Sequence, residues 1–154
     1  MKLGDVLKKE RENKGASVEE AAEKLQVSAE DYASLESGEN EDFETWSPLL
    51  AEIAIQLETP TARLIAETGR SEDAADGQVG KLVKGHRERR EKTVEAMAEG
   101  IGSSKEQYEQ IESGSSPLEA FAPQLLRFAE LIEQPIFNLF YPCGLPYKEL
   151  DDYP

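Results

Sequence analysis

The feature that most constrains the fold of this chain is a 22-residue stretch that occurs twice. Residues 17–38 read SVEEAAEKLQVSAEDYASLESG, and residues 93–114, 76 positions later, read TVEAMAEGIGSSKEQYEQIESG. Ser17 can cap a helix and Glu20 completes a capping box. Ser28 can cap a second helix, and Gly38 stands where a left-handed helix end is favoured. The stretch predicts two short helices joined by a tight turn, the helix-turn-helix pattern whose second helix can read a DNA groove.

The repeat extends well beyond this stretch. With an offset of 76, residues 3–38 and 79–114 are identical at 14 of 36 positions, and after a one-residue deletion the apolar pairs continue to Leu64 and Leu139. A repeat of this length predicts an all-α fold with two copies of one five-helix domain, each closing its own core. We expect a first domain at 1–68, a linker at 69–77, a second domain at 78–141 and an irregular tail at 142–154.

Apolar residues at helical spacing mark a fourth helix in each copy. Ser47 and Pro48 resemble a cap followed by a first-turn proline, which predicts the start of this helix in the first copy. Thr59 and Pro60 predict the start of a fifth helix. Two sets of side chains on one helix face are expected to line two separate cores: Leu50, Ile53 and Leu57 in the first copy, and Leu125, Phe128 and Ile132 in the second.

Composition restricts the classes of function. The net charge is −15 and the sequence pI is about 4.5, which is the wrong sign for a generic nucleic-acid binder. Cys143 and His86 are the sole cysteine and histidine, so a disulfide framework and a cysteine zinc site are excluded. No arrangement typical of an enzyme occurs, and we expect no catalytic residue, metal or cofactor. Without a long apolar run or a signal peptide, the chain is expected to be cytoplasmic, with no membrane partner.

Four short motifs carry a family resemblance. They are a Leu-Lys-Lys-x-Arg-Glu first helix, a Ser-Val-Glu-Glu-Ala-Ala-Glu second helix, a Ser-x-x-x-Tyr third helix and a closing Leu/Ile-Glu-Ser-Gly. With them, each half resembles a lambda-repressor-like (XRE-type) helix-turn-helix domain. The resemblance implies DNA binding and regulation of transcription. It also implies two structural ion pairs, Arg11 with Glu36 and Arg87 with Glu112.

The sequence departs from this family where DNA would be contacted. Val18 and Val94 stand where the family has a phosphate-binding glutamine, and valine cannot donate a hydrogen bond. The first turn of the third helix carries Ala29, Glu30 and Asp31 in the first copy. Acidic residues can read the cytosine amino group, but beside phosphates they are expected to repel.

The two halves differ in charge, and the second half is the better candidate for DNA. Residues 1–75 have a net charge of −10 and residues 76–154 a net charge of −5. The segment 81–92 is rich in lysine and arginine; we interpret it as a solvated helix face that pairs with acidic neighbours, the alternative being a phosphate-binding patch. The candidate DNA-binding residues are Arg89, Arg90, Lys92, Ser104, Lys105, Gln107 and Gln110.

Two hypotheses about function follow. The first is a transcriptional regulator with tandem helix-turn-helix domains, whose binding of double-stranded DNA is weak or confined to the second domain. The alternative is an acidic protein–protein interaction module that keeps the fold, no longer binds DNA and uses the first domain to bind a protein partner. A continuous basic face across both third helices would favour the first hypothesis.

Overall fold

The computed structural model describes residues 2–58, 77–134 and 139–143, and all the regular structure in these ranges is helical. The expected all-α class is therefore confirmed. We call α1 to α4 the first repeat and α5 to α8 the second repeat. The helices are α1 (Leu3–Lys14), α2 (Val18–Leu25), α3 (Ala29–Glu36), α4 (Glu41–Leu57), α5 (Gln78–Arg89), α6 (Val94–Gly100), α7 (Lys105–Ser113) and α8 (Leu118–Ile132), followed by a 3₁₀ turn at Tyr141–Cys143.

Short polar residues begin the second and third helix of each repeat. The Ser17 hydroxyl accepts a hydrogen bond from the Glu20 backbone N–H at 3.0 Å, and Ser28 accepts one from the Asp31 N–H at 3.0 Å. Thr93 and Ser104 cap α6 and α7 in the same way. Each hydroxyl satisfies one of the free N–H groups at a helix start, so the start positions expected from the repeated stretch are confirmed.

Helix α4 begins earlier than the sequence pattern indicates. Its cap is Asn40, whose side-chain oxygen accepts from the Phe43 N–H at 3.0 Å, and Pro48 lies inside the helix. The predicted start at Ser47 and Pro48 is therefore wrong. Proline lacks an N–H and leaves the Glu44 carbonyl without its helical partner. Helix α4 nevertheless continues through Pro48 to Leu57. Pro123 lies inside α8 in the same way.

The long helices of the two repeats are exchanged. Helix α8 packs across α2 and the end of α1, while α4 contacts α6 and α5. At one junction the Arg127 guanidinium donates to the Leu25 carbonyl at 3.4 Å, and Lys24 lies 3.2 Å from Glu130. At the other, the Gln56 amide donates to the Gly100 carbonyl at 3.2 Å. Each repeat thus supplies the end of its long helix to the other repeat.

The buried side chains form one core instead of two. A single continuous cluster includes buried residues of both repeats, among them Leu57 of α4 and Ile132 of α8. Near the crossing of the long helices, the rings of Phe43 and Phe121 meet edge to face with centroids 5.2 Å apart. The prediction of two separate cores is therefore wrong, because helical spacing shows which side of a helix is apolar and not which helix covers it.

Several predicted segments fall outside the described residues. They include the fifth helix expected after Thr59, the linker up to residue 76 and the tail from residue 144. Gly77, the last residue of the predicted linker, precedes α5 with φ 80°, and the turn at Tyr141–Cys143 packs against α1. None of the described helices combines the length and apolar character that crossing a membrane requires.

Candidate interaction surface

Two arginine–glutamate pairs attach the third helix of each repeat to the first. Arg11 Nε donates to Glu36 Oε2 at 2.6 Å, and its Nη2 donates to Oε1 at 3.0 Å. Arg87 and Glu112 form the same two-bond pair at 2.6 and 3.0 Å. Hydrogen bonding to Glu36 raises the pKa of Arg11 above its ordinary value. Both arginines are almost fully enclosed, so they hold α3 and α7 in place and are not available to a ligand.

Two further glutamates, not anticipated from the sequence, hold the first helix of each repeat. Both Glu44 carboxylate oxygens accept at 2.8 Å, from the N–H groups of Leu3 and Gly4. Glu119 accepts from Val79 at 3.1 Å and Gly80 at 2.9 Å. Helices α1 and α5 have no local side-chain cap, so these distant carboxylates replace it and match the positive helix end. The signal was present, since both glutamates occupy the same repeat position.

Glycine allows the first and third helices to approach closely. A Cβ at Gly4 would collide with the Leu35 carbonyl oxygen, and a Cβ at Gly80 would collide with the carbonyl oxygens of Ile111 and Glu112. Only a residue without a side chain fits at these contacts. Together with the ion pairs and the glutamate caps, this packing fixes α3 and α7 as rigid surfaces.

The exposed surface of α2 and α3 is acidic. We call the carboxylates of Glu19, Glu20, Glu23, Glu30 and Asp31 the acidic face; all five residues are exposed. The single basic residue of these two helices, Lys24, lies 3.2 Å from the carboxylate of Glu130 on α8. No positive charge of α2 or α3 is therefore left unneutralised on this surface.

The structure brings four of the candidate DNA-binding residues together on α7 and gives two of them other contacts. The Ser104 hydroxyl caps the helix by accepting from the Gln107 N–H at 3.1 Å. Lys105 Nζ lies 3.1 Å from Glu95 and 3.8 Å from Glu109, and hydrogen bonding to Glu95 raises the pKa of Lys105. Gln110 is exposed and Gln107 is half-buried. The polar atoms available to bases on α7 are mainly the glutamine amides.

The other three candidates lie at and beyond the end of α5. Arg89 and Arg90 are exposed, and Lys92 is half-buried. The Arg90 guanidinium donates to the His86 carbonyl at 2.9 Å and lies 3.2 Å from its ring Nδ1. The Lys92 carbonyl accepts from Arg87 at 2.8 Å, so its main chain belongs to the ion-pair site. These residues form a basic group on an element separate from α7.

A continuous basic face across the third helices is not present. Within α2, α3, α6 and α7, all of them fully described, Lys24 and Lys105 are the basic residues, and both pair with glutamates. Against them stand eleven aspartates and glutamates in the same helices. These four helices therefore carry a strongly negative charge.

A cleft of about 180 Å³ opens where α3 of the first repeat meets α8 of the second. We call it the α3–α8 cleft. Its lining is mixed: Val27, Leu35 and Phe121 contribute apolar groups, and Asp31, Ser34, Asn40 and Gln124 contribute polar ones. Sequence reasoning could not find this cleft, because Phe121 and Gln124 reach α3 only through the exchange of the long helices.

Comparison with known proteins adds no assignment. No protein-family model matches the chain, and searches of curated proteins and of solved structures returned no match. Among the described residues, no group of three or more histidine, cysteine, aspartate or glutamate side chains is arranged to hold a metal ion.

Proposed function

We propose that this chain is a protein-binding module built on two tandem lambda-repressor-like helix-turn-helix units, and that its acidic face binds a basic protein surface. The observation that carries the proposal is the acidic face itself, presented by rigidly held helices. DNA binding requires the neutralisation of phosphates, and carboxylates at the same place would oppose it. A basic surface, such as the one that a nucleic-acid-binding protein uses, is complementary in charge and would be steered toward this face.

A second candidate is a transcriptional regulator that contacts DNA through the second repeat. The specific observation in its favour is the exposed pair Arg89 and Arg90 at the end of α5, in the less acidic half of the chain. In this proposal Lys105, Gln107 and Gln110 of α7 would contact DNA beside them. Lys105 would first have to leave Glu95 and Glu109.

The experiment that tests the proposal uses the full-length chain and two probes, an eight-arginine peptide and a nonspecific DNA duplex. Binding of each probe is measured by fluorescence anisotropy at two salt concentrations. A variant with Glu30→Lys and Asp31→Lys reverses two charges on the acidic face. The matched control, Glu58→Lys with Glu99→Lys, has the same net charge and changes two exposed residues outside α2 and α3.

We expect the full-length chain to bind the peptide. The acidic-face variant should bind it about tenfold more weakly, because a complementary contact surface is lost. The control variant should weaken binding much less. Equal losses in both variants would show that the peptide responds only to net charge and would overturn the proposal. Salt-dependent DNA binding that weakens when Arg89 and Arg90 are replaced by alanine would favour the second candidate.

A further inference from the structure

We infer that the α3–α8 cleft accepts one arginine side chain of a protein partner. This inference rests on the proposed function and names the group that the acidic face would recognise. A volume of about 180 Å³ is below the roughly 300–1,000 Å³ of pockets for drug-sized ligands. The cleft therefore suits a single long side chain that enters from a docked protein.

The residues that line the cleft match the two parts of an arginine side chain, its aliphatic stem and its charged guanidinium. Val27 and Phe121, both half-buried, offer apolar surface for the aliphatic stem, since long basic side chains bury their stems and keep the charge at the edge. Asp31 supplies the carboxylate at the rim. The Asp31 backbone N–H is already used by Ser28 at 3.0 Å, but its carboxylate forms no ion pair with any described residue. This carboxylate is free to bind a guanidinium.

The ring of Phe121 and the side-chain amide of Gln124 favour arginine over lysine. A planar guanidinium can stack on a ring such as Phe121 and can donate two parallel hydrogen bonds to one carboxylate, whereas a lysine ammonium is a compact, strongly hydrated charge. The side-chain carbonyl of Gln124 can accept a further N–H, of which arginine has five. The lining thus offers contacts to the aliphatic stem, the planar guanidinium and the N–H donors of one arginine side chain.

The repeat-equivalent positions of the cleft residues lack these groups. Gln107 stands at the position of Asp31, and Leu49 stands at the position of Gln124. Trp46 replaces Phe121, and Ser103 replaces Val27. None of these four residues is a carboxylate, so the repeat-equivalent positions do not reproduce the arginine site.

The test is an NMR titration of the ¹⁵N-labelled full-length chain with N-acetyl-arginine amide. The matched ligands are the citrulline and lysine analogues, which remove the charge and the planar guanidinium in turn. We expect saturable shifts of the Asp31 and Gln124 amide signals with the arginine compound, and weaker binding of both analogues. Asp31→Asn should weaken arginine binding by about 1.5-fold to fivefold, the range for loss of an exposed ion pair.

Glu106→Gln is the matched control variant, because it removes the same charge from an exposed residue in the first turn of α7, outside both the acidic face and the cleft lining. It should leave arginine binding nearly unchanged. Equal effects of the two variants, or equal binding of lysine and arginine, would overturn the cleft site while leaving the binding of the eight-arginine peptide intact. Cleft binding of the arginine compound, together with peptide binding that Glu19→Lys with Glu23→Lys leaves unchanged, would instead support the site and overturn the proposed function.

Discussion

Gln56 and Gly100 lie in different repeats and are joined by a hydrogen bond of 3.2 Å from the side-chain amide to the backbone carbonyl. Gln56 lies one residue before the end of α4, and Gly100 is the last residue of α6. Arg127 and Leu25 connect α8 to the end of α2 on the other side. The two junctions make each repeat dependent on the other for part of its packing.

An isolated half of the chain should therefore self-associate. In a polypeptide of residues 1–75, α2 would lose the cover of α8, and α4 would lose its contacts with α5 and α6. The α4 helix of a second copy can cover α2 instead, as in domain swapping. Analytical ultracentrifugation should show a concentration-dependent dimer of residues 1–75 and a monomer of the full-length chain. A stable, folded monomer of residues 1–75 would contradict the prediction.

The single core should make unfolding one cooperative event. Ile132→Ala removes a buried side chain of α8 and should cost about 2–5 kcal/mol of the free energy of unfolding. Trp46, the sole tryptophan, lies in α4 of the first repeat. Its fluorescence and the far-ultraviolet circular dichroism should shift together in urea. Leu57→Ala should have a similar effect on both signals, and a transition seen by only one of them would indicate independent halves.

The carboxylate of Glu44 should contribute measurably to the stability of α1. Glu44→Ala leaves the N–H groups of Leu3 and Gly4 without their acceptor, which should cost about 1–3 kcal/mol. Glu41→Ala is the matched control, because Glu41 is an exposed carboxylate in the same first turn; it should change stability by only about 0.5 kcal/mol. Urea denaturation measures the free energy of unfolding of both variants. Equal losses would show that each carboxylate acts on the dipole of α4 and not as a cap of α1.

Replacing either of two glycines of α5 with alanine should change the stability of the chain, in opposite directions. At Gly80 a methyl group collides with backbone oxygens of α7, and such overpacking should destabilise the chain by about 1–3 kcal/mol. At Gly85 the nearest atom is the flexible Arg89 guanidinium, at 3.5 Å. Gly85→Ala should stabilise the chain by up to about 1 kcal/mol, because alanine favours a helix interior. Thermal unfolding separates the two outcomes, and a stable Gly80→Ala variant would contradict the close approach of α5 and α7.

Tyr32 and Tyr108 should make the fold sensitive to alkali. Burial, followed by the nearby carboxylate of Glu36 or Glu112, raises the pKa of both phenols above the ordinary value of 10.0. The folded chain then holds the phenol protons more tightly than the unfolded chain does. This stability is complete below pH 10 and is lost as the pH rises above it, by up to about 1.4 kcal/mol per pH unit for each tyrosine.

The measurement is urea denaturation between pH 9 and 11, and Tyr108→Phe is the control. Phenylalanine keeps the ring and removes the proton, so this variant should show a shallower loss of stability with pH. An unchanged slope would mean that Tyr108 ionises in the folded chain.

Sequence reasoning works here where a signal is local or occurs twice. Ser17, Ser28 and Gly38 mark helix ends because their side chains or left-handed backbone conformations act within one turn. The predicted start of α4 is wrong because Pro48 is typical of a first helical turn, whereas Asn40 is the cap that forms. The glutamate caps were missed because Glu44 acts 40 or more residues away from the N–H groups it binds.

The arrangement of the long helices could not be derived in the same way. The spacing of Leu50, Ile53 and Leu57 shows a single apolar face of α4, and that face fits either its own repeat or the other one. Which repeat covers it depends on the crossing near Phe43 and Phe121, a contact between residues 78 positions apart. Consequently the α3–α8 cleft, which this crossing creates, has no signature in either repeat alone.

The exchange of the long helices also has a consequence for symmetry. Two identical subunits that traded such helices would form a dimer with a twofold axis, and every groove between them would exist in two equal copies. Joining both repeats in one chain fixes their ratio at one to one. It also allows the residues at one junction to change without the same change at the other. Asp31 and Gln107, at corresponding positions of the two junctions, already differ in charge. A covalently joined pair can thus offer a single binding groove, where a symmetric dimer must always offer two.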